Sequence, residues 1–212
     1  VFSTQAEADA ASLMADNGNY FRGGDMHYVD QNGDHRIDSK DRVALGSAAP
    51  DFFGGFYTQF KYKGFALGAE FSYSKGNMAY NAVRNQLEGM NTLGNQSIAV
   101  LNRWSLDGQV TNMPRVQHND PYRSTSFSER WLEDASYLRM KSVTLSYSFD
   151  KTVLNFFRSG TLYVSGENLL TATKYLGLDP EFSYSYGETS QGLDYAKMVQ
   201  PKSVKFGVNL KF

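Results

Sequence analysis

The chain has 212 residues, no cysteine and a formal net charge of −1. That balance offers no basic surplus for nucleic acid and no bulk attraction to an anionic membrane surface. The absence of cysteine excludes disulfides, thiolate zinc sites and cysteine nucleophiles. The aromatic content stands out: 14 Tyr, 15 Phe and 2 Trp make 15%, alongside 19 Gly, a composition suited to strands, turns and surfaces that meet apolar or sugar-like matter.

No apolar run approaches the ~20 residues of a transmembrane helix. The mean hydropathy of −0.47 leaves room for a transmembrane β-barrel, whose alternating strands average out. The opening residues Val1-Phe2-Ser3-Thr4-Gln5 have neither the basic nor the apolar stretch of a signal peptide. We read the true start as lying upstream.

Residues 1–24 are polar, with a short helix predicted over Glu7–Met14 and a turn at Asn17-Gly18-Asn19. Residues 25–50 hold a dense acidic cluster and end in Gly46-Ser47-Ala48-Ala49-Pro50. Alternation predicts a strand over Phe56–Tyr62, with Phe56, Thr58, Phe60 and Tyr62 on one face. Lys63-Gly64 is a two-residue hairpin signal. The return strand sets Phe65, Leu67, Ala69, Phe71 and Tyr73 against a wet face of Ala66, Gly68, Glu70, Ser72 and Ser74. Residues 76–130 read as a long irregular stretch, with helical spacing at Val83, Leu87 and Met90 and at Ile98, Leu101 and Trp104. A strand over Tyr137–Phe149 carries Val143, Leu145, Tyr147 and Phe149 on its apolar face. A connector from Asp150 to Ser159, a strand over Thr161–Asn168 and a loop over 169–201 follow. The last strand alternates Val204, Phe206, Val208, Leu210 and Phe212 with Lys205, Gly207, Asn209 and Lys211.

Period-two alternation suits both a sandwich, which hides its apolar faces in a core, and a barrel, which turns them to lipid. Three features favour the barrel. The wet faces are small and hydroxyl-rich, the connectors alternate short and long, and Tyr62, Tyr73 and Phe149 sit at strand ends where aromatic girdles belong. The expected fold is therefore all-β: about five antiparallel strands of a larger transmembrane β-barrel, with long extracellular loops containing short helices. Residues 1–50 form an extracellular region, and residues 51–212 supply strands with outer loops at 76–135 and 169–201. Phe65, Leu67, Phe71, Val143, Leu145, Val204, Phe206 and Val208 are expected to face lipid. Five strands fall short of the usual minimum of about 8, so the chain is expected to be part of something larger and to aggregate when made alone. The alternative is a secreted, calcium-stabilised, carbohydrate-binding β-sandwich.

Asp30-Gln31-Asn32-Gly33-Asp34-His35-Arg36-Ile37-Asp38-Ser39-Lys40-Asp41 is the sharpest local motif. Asp30, Asn32, Asp34, Asp38 and Asp41 occupy positions 1, 3, 5, 9 and 12 of a 12-residue calcium loop, with the Arg36 carbonyl at position 7. Ile37 is placed to pack inward. The pattern resembles dockerin-type loops but carries His35 at position 6, where Gly makes the turn; His tolerates positive φ better than most residues. Calcium is favoured over a solvated Asx-turn cluster without an ion, and the spacing leaves magnesium open as the cation. Its role would be to stiffen an outer loop.

Longer stretches carry a family resemblance. Arg130-Trp131-Leu132-Glu133-Asp134-Ala135-Ser136-Tyr137-Leu138-Arg139, with Lys141-Ser142-Val143-Thr144-Leu145-Ser146-Tyr147, resembles the carboxy-terminal barrel of the SusC/RagA family. So do Ser165-Gly166-Glu167-Asn168-Leu169-Leu170-Thr171, Lys174-Tyr175, Asp179-Pro180-Glu181 and the stretch from Gln200-Pro201-Lys202 to Phe212. Gly24-Asp25 through Asp41 and Pro50-Asp51-Phe52 fit the region upstream. The resemblance implies a TonB-dependent outer-membrane transporter with a 22-strand barrel, a plug and a TonB-contacting segment outside this sequence. It also implies a SusD-like surface lipoprotein as partner, outer-membrane lipid around the strands, and import of an oligosaccharide or peptide without enzymatic chemistry.

The remaining candidates favour ordinary structural roles. His27, His35 and His118 lack the further ligands of a zinc site. Glu129, Glu133 and Asp134 form no convincing glycosidase pair. Glu70 reads as lumen-lining. Trp104, Trp131, Tyr184 and Tyr186 could stack on sugar rings, though interface anchoring or loop packing suits the tryptophans at least as well.

Overall fold

The computed structural model describes residues 1–150, 158–182 and 191–211. In chain order its elements are α1 (Gln5–Ala11), β1 (Met14–Ala15), β2 (Arg36–Ile37), β3 (Phe52–Tyr62), β4 (Phe65–Lys75), β5 (Met78–Asn81), α2 (Ala82–Glu88), β6 (Leu132–Asp134), β7 (Tyr137–Asp150), β8 (Ser159–Thr173), β9 (Leu193–Asp194) and β10 (Ser203–Lys211). They fall into two compact units, one of Val1–Leu45 with Asn81–Leu132 and one of Gly46–Tyr80 with Glu133–Phe212. The stretch read as a long loop thus contributes most of its length to a folded unit.

The second unit is built on a five-stranded antiparallel sheet in the order β10-β8-β7-β4-β3. Its hairpin follows from Lys63 and Gly64, whose φ angles of 45° and 86° give the turn that matches strand twist. The strands outrun their sequence-based bounds. β3 starts at Phe52 because the ladder to β4 begins at the Phe52–Lys75 pair. β8 continues to Thr173, past an irregularity in the ladder at Met140/Ser142. Most of the connector expected at 150–159 and the terminal Phe212 lie outside the described residues.

Register places Phe60, Leu67, Leu145, Val164 and Phe206 in one row across all five strands. Phe56, Phe60, Phe65, Leu67, Leu145, Leu162, Val204, Phe206 and Val208 on this face are 44–82% exposed. Phe71 is partly covered by Phe56, the two rings stacking at 4.8 Å. β3 and β10 each have one edge without a partner strand among the described residues. β5, β6 and β9 form a separate small sheet.

The first unit has an ordinary buried core. Phe2, Ala8, Leu13, Ala15 and Phe21 cluster with Tyr28, Ile37 and Tyr122 against them. Met90, Val100 and Met113 form a second cluster. α1 starts earlier than its apolar pattern suggests because the Thr4 hydroxyl accepts the Glu7 amide at 3.1 Å. It stops at Ser12, whose φ is 51°.

Candidate functional site

The acidic loop folds around its own side chains. Asp30 accepts the amides of Gly33 and His35, each at 2.8 Å. Asn32 accepts that of Asp34 at 3.0 Å, and Asp34 that of Arg36 at 2.9 Å. Asp38 caps the short 3-10 turn at Ser39–Asp41. The Asp41 carboxylate closes the loop, accepting Gln31 N–H at 2.9 Å and Asp38 N–H at 2.8 Å. Position 6 does what the spacing requires: His35 has a φ of 60°. Ile37 packs against the first unit's core, and its strand pairs with β1. Desolvation acts to raise the Asp30 carboxyl, but the amides of His35, Gly33, Asp34 and Asn32 outweigh it and hold it below the ordinary carboxylate range.

The carboxylates are turned to backbone donors, and among the described residues no group of three or more His, Asp or Glu side chains converges to hold a metal ion. The side-chain oxygens at positions 1, 3 and 5 accept amides from within the loop, the pattern of successive Asx turns.

Beside this loop, sequence reasoning missed a buried charge pair. Asp25 is fully buried. It accepts Arg115 Nε at 2.6 Å and Nη2 at 3.2 Å, Arg22 N–H at 2.8 Å, and the Gln117 amide. Arg115 also stacks over Tyr122, 4.8 Å from its ring centre. Ninety positions separate the partners, so no local spacing announces them.

The sheet face opposite the apolar one is lined by hydroxyls. Thr144 and Ser165 are hydrogen-bonded at 2.8 Å, Ser148 and Thr161 at 3.1 Å. Glu167 accepts Lys205 Nζ at 2.5 Å and Ser203 Oγ at 2.9 Å. Tyr57 and Tyr163 lie across Gly68 and Gly207, where a Cβ would strike the rings. Glu70, read as lining this face, is opposite Ser142 and accepts its hydroxyl at 3.4 Å.

The other candidates take structural positions. His27 stacks on Phe2 at 4.2 Å, and His35 Nδ1 lies 3.3 Å from the Ala11 carbonyl oxygen. Trp131 is 1% exposed, with the guanidiniums of Arg130 and Arg84 at 4.9 and 5.5 Å from its ring centre, so no sugar can reach it. Trp104 donates Nε1–H to the Ser3 carbonyl at 3.0 Å. Glu133 accepts the Leu176 amide at 2.8 Å, and Asp134 that of Ser136 at 2.9 Å. Tyr184 and Tyr186 lie outside the described residues.

No protein-family profile matches the chain. Curated relatives do. It is 32% identical over 197 residues to TonB-dependent receptor P3 of Formosa agariphila, covering 90% of this chain and 19% of that one. It is 26% identical over 188 residues to TonB-dependent receptor SusC of Bacteroides thetaiotaomicron, covering 87% and 17%. The chain thus spans about a fifth of the length of the curated relatives it matches. Among solved structures, the RagAB peptide transporter aligns with a TM-score of 0.70 and 28% identity, over 83% of this chain and 19% of that one. The RagAB peptide importer in its closed-closed state aligns with a TM-score of 0.69 and 26% identity, over 94% and 20%.

Proposed function

Because the chain is similar over about nine tenths of its length to TonB-dependent receptors, SusC among them, we propose that it forms the carboxy-terminal strands and outer loops of an outer-membrane transporter for a large nutrient. The single observation that carries this reading is the five-stranded sheet. One face exposes a continuous field of large apolar side chains, and the other is lined by hydroxyls. In water the first face is a liability; in a bilayer it is the lipid-facing band. The unpaired edges of β3 and β10 are then joined by the remaining strands of a 22-strand barrel, because an open edge in hydrocarbon leaves backbone groups unsatisfied. A sandwich would need a second sheet over the apolar face.

In this reading the cargo is an oligosaccharide or peptide, and a SusD-like lipoprotein caps the outer side. The plug and the TonB-contacting segment belong to the rest of the transporter. The loop at Asp30–Asp41 holds Ca2+, with Asp30, Asn32, Asp34, Asp38 and Asp41 side chains and the Arg36 carbonyl as ligands. The ion would offset four carboxylates in 12 residues and stiffen an outer loop; it supplies no catalysis.

The test is outer-membrane fractionation and gel migration with and without heating, on the full-length protein that carries this chain. A heat-modifiable band in the outer-membrane fraction is expected. A protein released to the medium as a soluble monomer would overturn the reading.

A further inference from the structure

We propose that Arg139, Lys141, Asp179 and Glu181 form an ionic latch that holds segment 174–182 closed over one end of the hydroxyl-lined face. The functional sense of this inference rests on that face being the wall of a transport lumen.

Register sets Arg139 in a row with Ser72 and Thr171, on the same side as Glu70 and Ser142. Its Nε donates to Thr171 Oγ1 at 3.0 Å, which fixes the guanidinium on the sheet. The other nitrogens reach off the sheet, Nη1 to Glu181 at 2.9 Å and Nη2 to Asp179. Lys141 Nζ meets the same Glu181 oxygen at 2.7 Å. Two cations from β7 thus meet two anions from one segment, and no charge is left over. Asp179 also accepts the amides of Glu181 at 2.9 Å and Gln200 at 3.1 Å, so it ties in the stretch just before β10. Burial acts to raise its carboxyl, but Arg139 and these two amides outweigh that and hold it below the ordinary carboxylate range.

The segment is seated by more than charge. Tyr175 packs with Ala79, Ala135 and Phe182. Its hydroxyl donates to Asp194 at 2.5 Å, and Leu176 N–H to Glu133 at 2.8 Å.

Exposure along the face shows the consequence. Tyr57 is 61% exposed, whereas Arg139 is 4% exposed. The Ser72 hydroxyl, directly opposite Arg139, is buried at this end of the face, next to the Tyr137 side chain.

Ser72 is therefore the reporter. In the full-length transporter, purified in detergent, Ser72→Cys is labelled with a hydrophilic maleimide, and Ser148→Cys on the open part of the face is the reference. Ser72→Cys should label far more slowly than Ser148→Cys. Adding Asp179→Asn with Glu181→Gln should speed it at least about tenfold, because the latch then opens locally, while Ser148→Cys stays unchanged. Arg139→Gln should do the same. If the double variant does not fold, Glu181→Gln alone, which keeps Asp179 on Arg139, should still give a smaller acceleration. Equal labelling at 72 and 148 in the parent, or no acceleration in a folded latch variant, would overturn the latch. Failure of the parent to fractionate with the outer membrane would instead overturn the lumen reading, and the labelling ratio would still decide the latch.

Discussion

The two units use similar residues in opposite senses. In the first, Phe2, Phe21 and Trp131 are 0–3% exposed and the apolar residues turn inward around a buried charge pair. In the sheet, Phe60 and Phe206 are 68% and 82% exposed, and the hydroxyls line the opposite face. A phenylalanine therefore carries no fixed meaning for burial. Water around a compact unit drives it in, and on the proposed reading lipid along the sheet lets it out. The contrast can be broken from either side.

The largest effect is expected at Asp25. Asp25→Ala leaves Arg115 without the carboxylate that neutralises it, and removing one partner of a buried pair costs about 3–5 kcal/mol. In the full-length protein this should make residues 1–45 and 81–132 sensitive to protease while the sheet keeps its heat-modifiable migration. Loss of both together would mean the units do not differ as described. Next comes Phe206→Arg. At mid-bilayer it should cost roughly 2–4 kcal/mol in folding into lipid, whereas a water-facing position so exposed would tolerate it within about 0.5 kcal/mol. Titration of folding into liposomes separates the two outcomes, with Phe206→Leu as the near-neutral control.

The acidic loop gives an effect of comparable size that depends on ligand. If it binds calcium, a hundredfold excess over Kd should stabilise the first unit by about 2.7 kcal/mol. The thermal shift should disappear in Asp30→Ala and on chelation. An unchanged melting curve at millimolar calcium would remove the ion and leave the Asx-turn network as the whole explanation of the loop.

What was legible in the sequence followed the range of the interactions. Strand alternation, the Lys63-Gly64 hairpin and the acid spacing are local, and each appears in the structure near its expected place. Boundaries drifted where a partner strand extends the ladder, as at Phe52 and Thr173. The folding of residues 81–132 with 1–45 was not legible, because it rests on contacts such as Asp25–Arg115. The Asp179-Pro180-Glu181 block was visible as a motif, but its role depends on Arg139, 40 positions away. Such pairs join polar residues with no period, so nothing in the pattern flags them.

The smallest expected effect tests whether the loop is built for its turn or merely tolerates it. His35 holds a φ of 60°, a conformation that costs an L-residue roughly 1–2 kcal/mol. Its ring contributes a 3.3 Å contact to the Ala11 carbonyl in an exposed setting, which is worth little. Replacing it with Gly removes the strain, while the added freedom of the unfolded chain takes back about 0.5–1 kcal/mol. His35→Gly should therefore stabilise the first unit by a few tenths to about 1 kcal/mol. Gly33 is the matched control, since its φ of 75° lies in open space where a Cβ meets nothing. Gly33→Ala should destabilise by about 1 kcal/mol through backbone strain alone. Chemical denaturation of the two variants, followed by fluorescence of the first unit, reads both signs. If His35→Gly is destabilising, the imidazole contact outweighs the strain, and position 6 of this loop is held by a side chain where glycine would serve other loops of its kind.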